Sequence, residues 1–213
     1  AETRTITRSL TAGEAYDLRV EYYENGGAAV AQFGWGTDDA RLLKQAVDAA
    51  AASEAAIVVV GNSAAIESEG FDRSNLELPS GQAELIRAVA AVNKNTCVVL
   101  VSGAPVLMRG WIDATPALVQ TWFAGQEQGN ALVDLLFGDV NPSGRLPVTF
   151  LKRWEDSPAF MTYPGKEGAT DYAEGIFVGY RHFDAQQIEP EFPFGHGLSY
   201  TTFTYDNLHL EAA

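Results

Sequence analysis

Apolar residues recur along this chain with two different periods, and the switching between them predicts the fold. Ala56–Val60, Thr96–Val101 and Ala117–Phe123 are short apolar runs ended by turn residues, the pattern of strands buried on both faces. Between them Leu43, Ala46, Val47 and Ala50 repeat at helical spacing, as do Leu85, Ile86, Val89 and Val92. Thr37 or Asp38, and then Ser80, stand where N-caps are expected. Leu132, Leu135 and Leu136 mark a further helix over residues 130–137. Strands alternating with such helices predict an α/β sandwich with a mostly parallel sheet over residues 37–190.

The flanks follow another rule. Residues 5–10, 16–22 and 28–35 alternate or extend, with turns at Gly13-Glu14 and Asn25-Gly26-Gly27. They predict the closing strands of an antiparallel β-sandwich in residues 1–36, too few to stand alone. Val148–Phe150 and Ile176–Tyr180 are expected to be extended, on either side of a Pro-, Gly- and aromatic-rich excursion over 151–175. Residues 191–213 end in an alternating run, Thr201–Leu210, expected to open another β-domain. The start, Ala1-Glu2-Thr3-Arg4, is neither a signal peptide nor a Met start, which implies processing or a larger whole.

Composition narrows the function. The chain has 213 residues, 46% hydrophobic, with 14 basic against 28 acidic side chains and a formal charge of −14. No basic stripe exists to hold phosphates, so neither nucleic acid nor an anionic membrane is an expected partner, and a neutral substrate fits better. No apolar run approaches the roughly 20 residues of a membrane span. The one cysteine, Cys97, sits inside a predicted strand and reads as a small core residue. His182, His196 and His209 lack metal-ligand spacing; neither a metal nor a cofactor is expected.

Candidate chemistry gathers after the first predicted strand, in Gly61-Asn-Ser-Ala-Ala-Ile-Glu-Ser-Glu-Gly-Phe-Asp-Arg73. Ligands of open α/β sheets collect beyond the carboxyl ends of the strands. Were this loop extended, Glu67 and Glu69 would leave the same side of it, about 6–7 Å apart. A solvated acidic loop is the plainer alternative.

Five motifs together resemble the C-terminal half of a family 3 glycoside hydrolase of the β-glucosidase type. They are Glu67-Ser-Glu-Gly-Phe-Asp-Arg73, Ala124-Gly-Gln-Glu-Gln-Gly-Asn-Ala131, Phe137-Gly-Asp-Val-Asn-Pro-Ser-Gly-Arg-Leu-Pro147, Glu174-Gly-Ile-Phe-Val-Gly-Tyr-Arg181 and Phe192-Pro-Phe-Gly-His-Gly-Leu-Ser-Tyr200. The resemblance casts residues 1–36 as the end of a protective-antigen-like β-sandwich insert. It casts residues 37–190 as the domain carrying an acid/base loop, and residues 191–213 as the entrance to a fibronectin-type-III-like domain. It implies a retaining exo-acting β-glycosidase whose aspartate nucleophile lies on a barrel outside this chain, with a β-glucoside or oligosaccharide as substrate.

In that pattern the acid/base is the glutamate just before glycine, which falls on Glu69, with Glu67 the runner-up. Ile66 and Phe71 flank it as candidates for an apolar sugar-site wall. Asp72 and Arg73 read as an ion pair or a loop brace, Glu127 as a favourable charge at a helix start, Arg145 as a turn brace and His196 as a turn residue. Arg181 and His182 are expected to follow a strand. A dinucleotide site is excluded, because no Gly-x-Gly-x-x-Gly turn opens into a helix here. A non-catalytic carbohydrate-binding or scaffolding module with the same fold is the competing class. Sugar and linkage are open; the resemblance favours an extracellular or periplasmic compartment.

Overall fold

The computed structural model of the chain describes residues 6, 8–23, 26, 39–70 and 72–211. It divides into two compact units, Ala1–Asp39 and Ala40–Ala213.

In the first unit, residues 8–23 contain no strand among the described residues. The turn expected at Gly13-Glu14 is present: Gly13 has φ +87°, and Glu14 N–H reaches Thr11 carbonyl at 3.3 Å. Tyr16 closes it, its hydroxyl accepting from Thr11 N–H at 2.9 Å and donating to Glu14 at 2.7 Å. Leu10, Leu18 and Val20 are exposed, so the alternation expected of these residues is not used in a ladder here. Strand backbone needs a paired neighbour. The third strand expected in this region, over 28–35, lies outside the described residues, as do the cap candidates Thr37 and Asp38.

The second unit carries the expected α/β core. Helix α1 runs Asp39–Ala51, strand β1 Ala56–Gly61, helix α2 Gln82–Val92, strand β2 Thr96–Val101 and strand β3 Ala117–Gln120. The strands form a parallel three-stranded sheet in the order β1-β2-β3, with Ala56 opposite Thr96 and Cys97 opposite Ala117. Val58, Val60, Val98 and Leu100 point to one face, where Ile86 and Val89 of α2 meet them with Met108, Trp111 and Phe150. Each such side chain, fully buried, contributes about 1.5–3 kcal/mol. On the opposite face Val99 is buried while Ile57 and Val59 are half exposed. Burial pushes the Cys97 thiol above its ordinary value, the behaviour of a core residue.

Buried Asn93 joins the two helices. Its Nδ2 donates to Ala50 and Ser53 carbonyls at 2.9 Å each, and its Oδ1 accepts from Asn95 N–H at 2.9 Å. It thereby adds a donor to Ala50 carbonyl, which Ser53 N–H also reaches at 3.2 Å, and supplies one to Ser53 carbonyl just beyond α1.

Several expectations are corrected. The residue capping α2 is Gly81, in left-handed backbone with φ +83°, and not Ser80: the Pro79–Gln82 turn spends one more residue before the helix starts. β3 ends at Gln120, because Trp122 has φ +57°, which no strand accommodates. Phe150 makes only an isolated antiparallel bridge with Phe192. Ile176–Tyr180 is not extended: it turns at Gly175 and Gly179 into helix α4, Tyr180–Gln186. Arg181 and His182 therefore sit in a helix. Helix α3 covers Gln128–Phe137 with Leu132, Leu135 and Leu136 half-buried, close to the expected range.

The excursion over 151–175 has a core of its own. Trp154 sets its ring edge-on to Phe160 and Tyr163, at 6.1 and 6.4 Å between centroids, and packs with Leu107, Leu151 and Phe183. Two of the motifs fit each other: Leu146 N–H donates to His196 carbonyl and Gly195 N–H to Leu146 carbonyl, both at 2.8 Å. Gly197 is needed there, since a Cβ would lie 2.3 Å from Gly144 carbonyl oxygen. Beyond Thr201 the described residues are exposed and carry no strand.

Candidate active site

The three strand ends open onto one edge of the sheet. The last residue of β1 has to be glycine, because Gly61 faces Val101 so closely that a Cβ would lie 1.9 Å from the Val101 carbonyl oxygen. The chain then keeps one more bond to β2, Asn62 N–H to Val101 carbonyl at 2.9 Å, and turns: Ser63 carbonyl accepts from Ile66 and Glu67 N–H, both at 2.9 Å. The loop is thus wound rather than extended, and this corrects the expectation that Glu67 and Glu69 leave a strand-like segment together.

The two glutamates have different surroundings. Glu67 is half-buried, and its Oε2 accepts from Asn62 Nδ2 at 2.8 Å and Gly103 N–H at 3.2 Å. Glu69 is exposed, and its carboxylate makes no hydrogen bond or ion pair among the described residues. Gly70, with φ +93°, bends the chain directly after it. Ile66 is 37% exposed and borders a cleft of about 410 Å³ with Asp72, Arg73, Asn75 and Glu77; Glu67 and Glu69 do not line it. Phe71 lies outside the described residues.

Asp72 and Arg73 form no ion pair with each other among the described residues and face different neighbours. The neighbouring Asp72 carboxylate, and then burial, hold the Tyr163 phenol above its ordinary value. Arg73 reaches Pro105 carbonyl through Nη1 at 3.5 Å, while its Nε and Nη2 are buried with no partner among the described residues.

The loops after β2 and β3 complete the edge. Ser102 is buried, with Gln120 Nε2 donating to its carbonyl at 3.1 Å. Gly103 lies between Glu67 and Phe123: a Cβ there would sit 2.6 Å from Glu67 Oε1 and 2.8 Å from the Phe123 ring. Phe123 is half exposed, and Trp122 beside it packs on Phe150 at 6.1 Å between centroids. Glu127 holds the N-cap position of α3 and accepts from Asn130 Nδ2 at 2.6 Å. Arg145 Nη1 donates to Gly144 carbonyl at 3.1 Å, as a turn brace would. Among the described residues no three His, Cys, Asp or Glu side chains form a metal-binding group.

The sequence reading singled out Glu67, Glu69 and Ile66, and the structure puts them on one loop at the sheet's carboxyl edge. It missed Asn62, Gly103, Phe123 and Tyr163, whose part depends on neighbours from other strands. Asn62 alone left a signal, as the polar residue directly after a strand-ending glycine.

The family model for the glycosyl hydrolase family 3 C-terminal domain matches residues 5–200. The thermostable beta-glucosidase B of Acetivibrio thermocellus is 46% identical over 173 residues, 81% of this chain and 23% of that protein. A beta-glucosidase of Kluyveromyces marxianus is 40% identical over 218 residues, covering 97% of this chain and 26% of the relative. The crystal structure of the Kluyveromyces marxianus beta-glucosidase in complex with glucose superposes with a TM-score of 0.76 at 42% identity, over 78% of this chain and 20% of that one. The Bifidobacterium adolescentis beta-glucosidase gives 0.75 at 42% identity, over 79% and 25%. This chain therefore spans about a quarter of the length of the relatives it matches.

Proposed function

The chain belongs to glycosyl hydrolase family 3, as its C-terminal domain, and from that premise we propose that it supplies the acid/base half of a retaining exo-acting β-glucosidase. Glu69 is the general acid/base. An aspartate on a barrel outside this chain is the nucleophile. Residues 1–36 close an inserted β-sandwich, and 191–213 lead towards a fibronectin-type-III-like domain.

The carrying observation is the contrast within the acidic loop: Glu69 is exposed, its carboxylate without a partner among the described residues, beside Glu67, which is tied inward. A retaining glycosidase sets two carboxyl groups about 5–5.5 Å apart across the scissile bond. Glu69 protonates the glycosidic oxygen as the nucleophile attacks the anomeric carbon, and then takes a proton from the water that releases the sugar. A wound loop at the sheet edge is suited to presenting one carboxyl across an interface. The substrate is a neutral β-glucoside, in keeping with a chain of formal charge −14, and Ile66 and Phe71 supply apolar wall beside the acid.

The test is hydrolysis of aryl β-glucosides by the chain alone, by the chain with a barrel-containing portion, and by the Glu69→Ala form of that pair. Turnover is expected only when the barrel is present. Azide added to Glu69→Ala should yield β-glucosyl azide, since small anions then attack the glycosyl-enzyme without base assistance. Sugar binding without turnover in any arm would favour the non-catalytic module instead.

A further inference from the structure

The Glu67 carboxylate is built into the sheet edge. One oxygen, Oε2, accepts from Asn62 at the end of β1 and from the main chain of Gly103 after β2, at 2.8 and 3.2 Å. Asn62 is 9% exposed, and its own N–H is held by Val101 carbonyl. A carboxylate is an acceptor only, so the Asn62 amide must turn its NH₂ towards Glu67. Its Oδ1 is then buried with no partner among the described residues. An orphaned buried acceptor is unfavourable, so this orientation is kept against a local cost. The bare α-carbon of Gly103 lets the carboxylate reach its amide.

We propose that Glu67 is a positioning residue for Glu69. The clasp of Asn62, Glu67 and Gly103 anchors the acid loop to the two strand ends, and only Ser68 separates the anchor from Glu69. The turn on Ser63 carbonyl sets the loop's direction before the clasp, and left-handed Gly70 sets it after Glu69. A general acid has to come within about 2.6–3.2 Å of the oxygen it protonates, and a displacement of about 1 Å costs on the order of a hundredfold. The idea rests on the reading of Glu69 as the acid/base.

The experiment uses the complete enzyme containing this segment, with Glu67→Ala, Glu67→Gln, Asn62→Asp and Glu69→Ala, on two aryl β-glucosides. One carries dinitrophenol, which departs without protonation; the other carries a weakly acidic phenol. Expected for Glu67→Ala is a kcat/KM lower by about 10–100-fold on the weakly acidic phenol, and by less than about threefold on the dinitrophenyl glucoside. No β-glucosyl azide should form with it. Glu67→Gln, which keeps an acceptor oxygen, should recover most of the loss. Asn62→Asp sets two carboxylates against each other at unchanged size and should reproduce the Glu67→Ala pattern, even if Glu67→Ala fails to fold. Equal losses on both glycosides, no loss on either, or Glu67→Gln as poor as Glu67→Ala would overturn the proposal. Azide product from Glu67→Ala with none from Glu69→Ala would instead overturn the assignment of Glu69.

Discussion

The side-chain amide of Gln82 is bonded to both main-chain polar groups of Gly61: Oε1 accepts from Gly61 N–H at 2.7 Å, and Nε2 donates to Gly61 carbonyl at 3.0 Å. The first residue of α2 thus stands in for a neighbouring strand at the last residue of β1. It holds the start of the acid loop where Gly61 also lies against Val101.

Replacing Gln82 by Leu leaves both Gly61 groups without this partner. We expect a loss of about 1–3 kcal/mol, measured by urea denaturation. Gly61→Ala should lose at least as much, because its Cβ meets carbonyl rather than a movable side chain. Gln82→Glu should fall between wild type and Gln82→Leu, keeping the acceptor and losing the donor.

Asn93→Ala removes the bonds that close α1 onto α2. Ala50 carbonyl keeps its bond from Ser53 N–H while Ser53 carbonyl loses its Asn93 donor, so the cost should be about 1–3 kcal/mol, and hydrogen exchange should rise first at residues 49–53. Uniform acceleration over the sheet at the same rate would contradict a local tie.

Tyr163 is held above the ordinary phenol value, first by the neighbouring Asp72 carboxylate. A raised value favours the neutral form in the folded state. The stability it brings is complete below the ordinary tyrosine value of about 10 and is lost as pH rises through the higher folded value. An absorbance titration at 295 nm should show a late-ionising tyrosine component that Tyr163→Phe removes. Asp72→Asn should shift it down.

Gly103→Ala places a Cβ against Glu67 and Phe123 at once. Phe123 is half exposed and free to swing, so the global cost should be moderate, about 1–3 kcal/mol. Activity in the complete enzyme should fall further than that of Phe123→Ala. A kcat/KM equal to wild type in Gly103→Ala would show that the loop tolerates the push.

The alternation of strand and helix periods was legible from residues alone, because buried β-branched runs and helical stripes are local properties. That is why β1, α2, β2 and the parallel order around them could be expected from sequence. The motif Glu67 to Arg73 was equally legible as a string. Its conformation was not: extended and wound loops share a composition, and the choice fell to Ser63 carbonyl and to the amide of Gly103, 36 residues away from Glu67. The same holds at Ile176–Tyr180, where β-propensity suggested a strand. No partner strand pairs with it among the described residues, and Gly179 turns the chain into α4. Residue order determined which side chains carry chemistry. Tertiary structure decided that one glutamate of the pair is bonded inward and the other left exposed, since a carboxylate's surroundings depend on donors that the fold brings from distant strands.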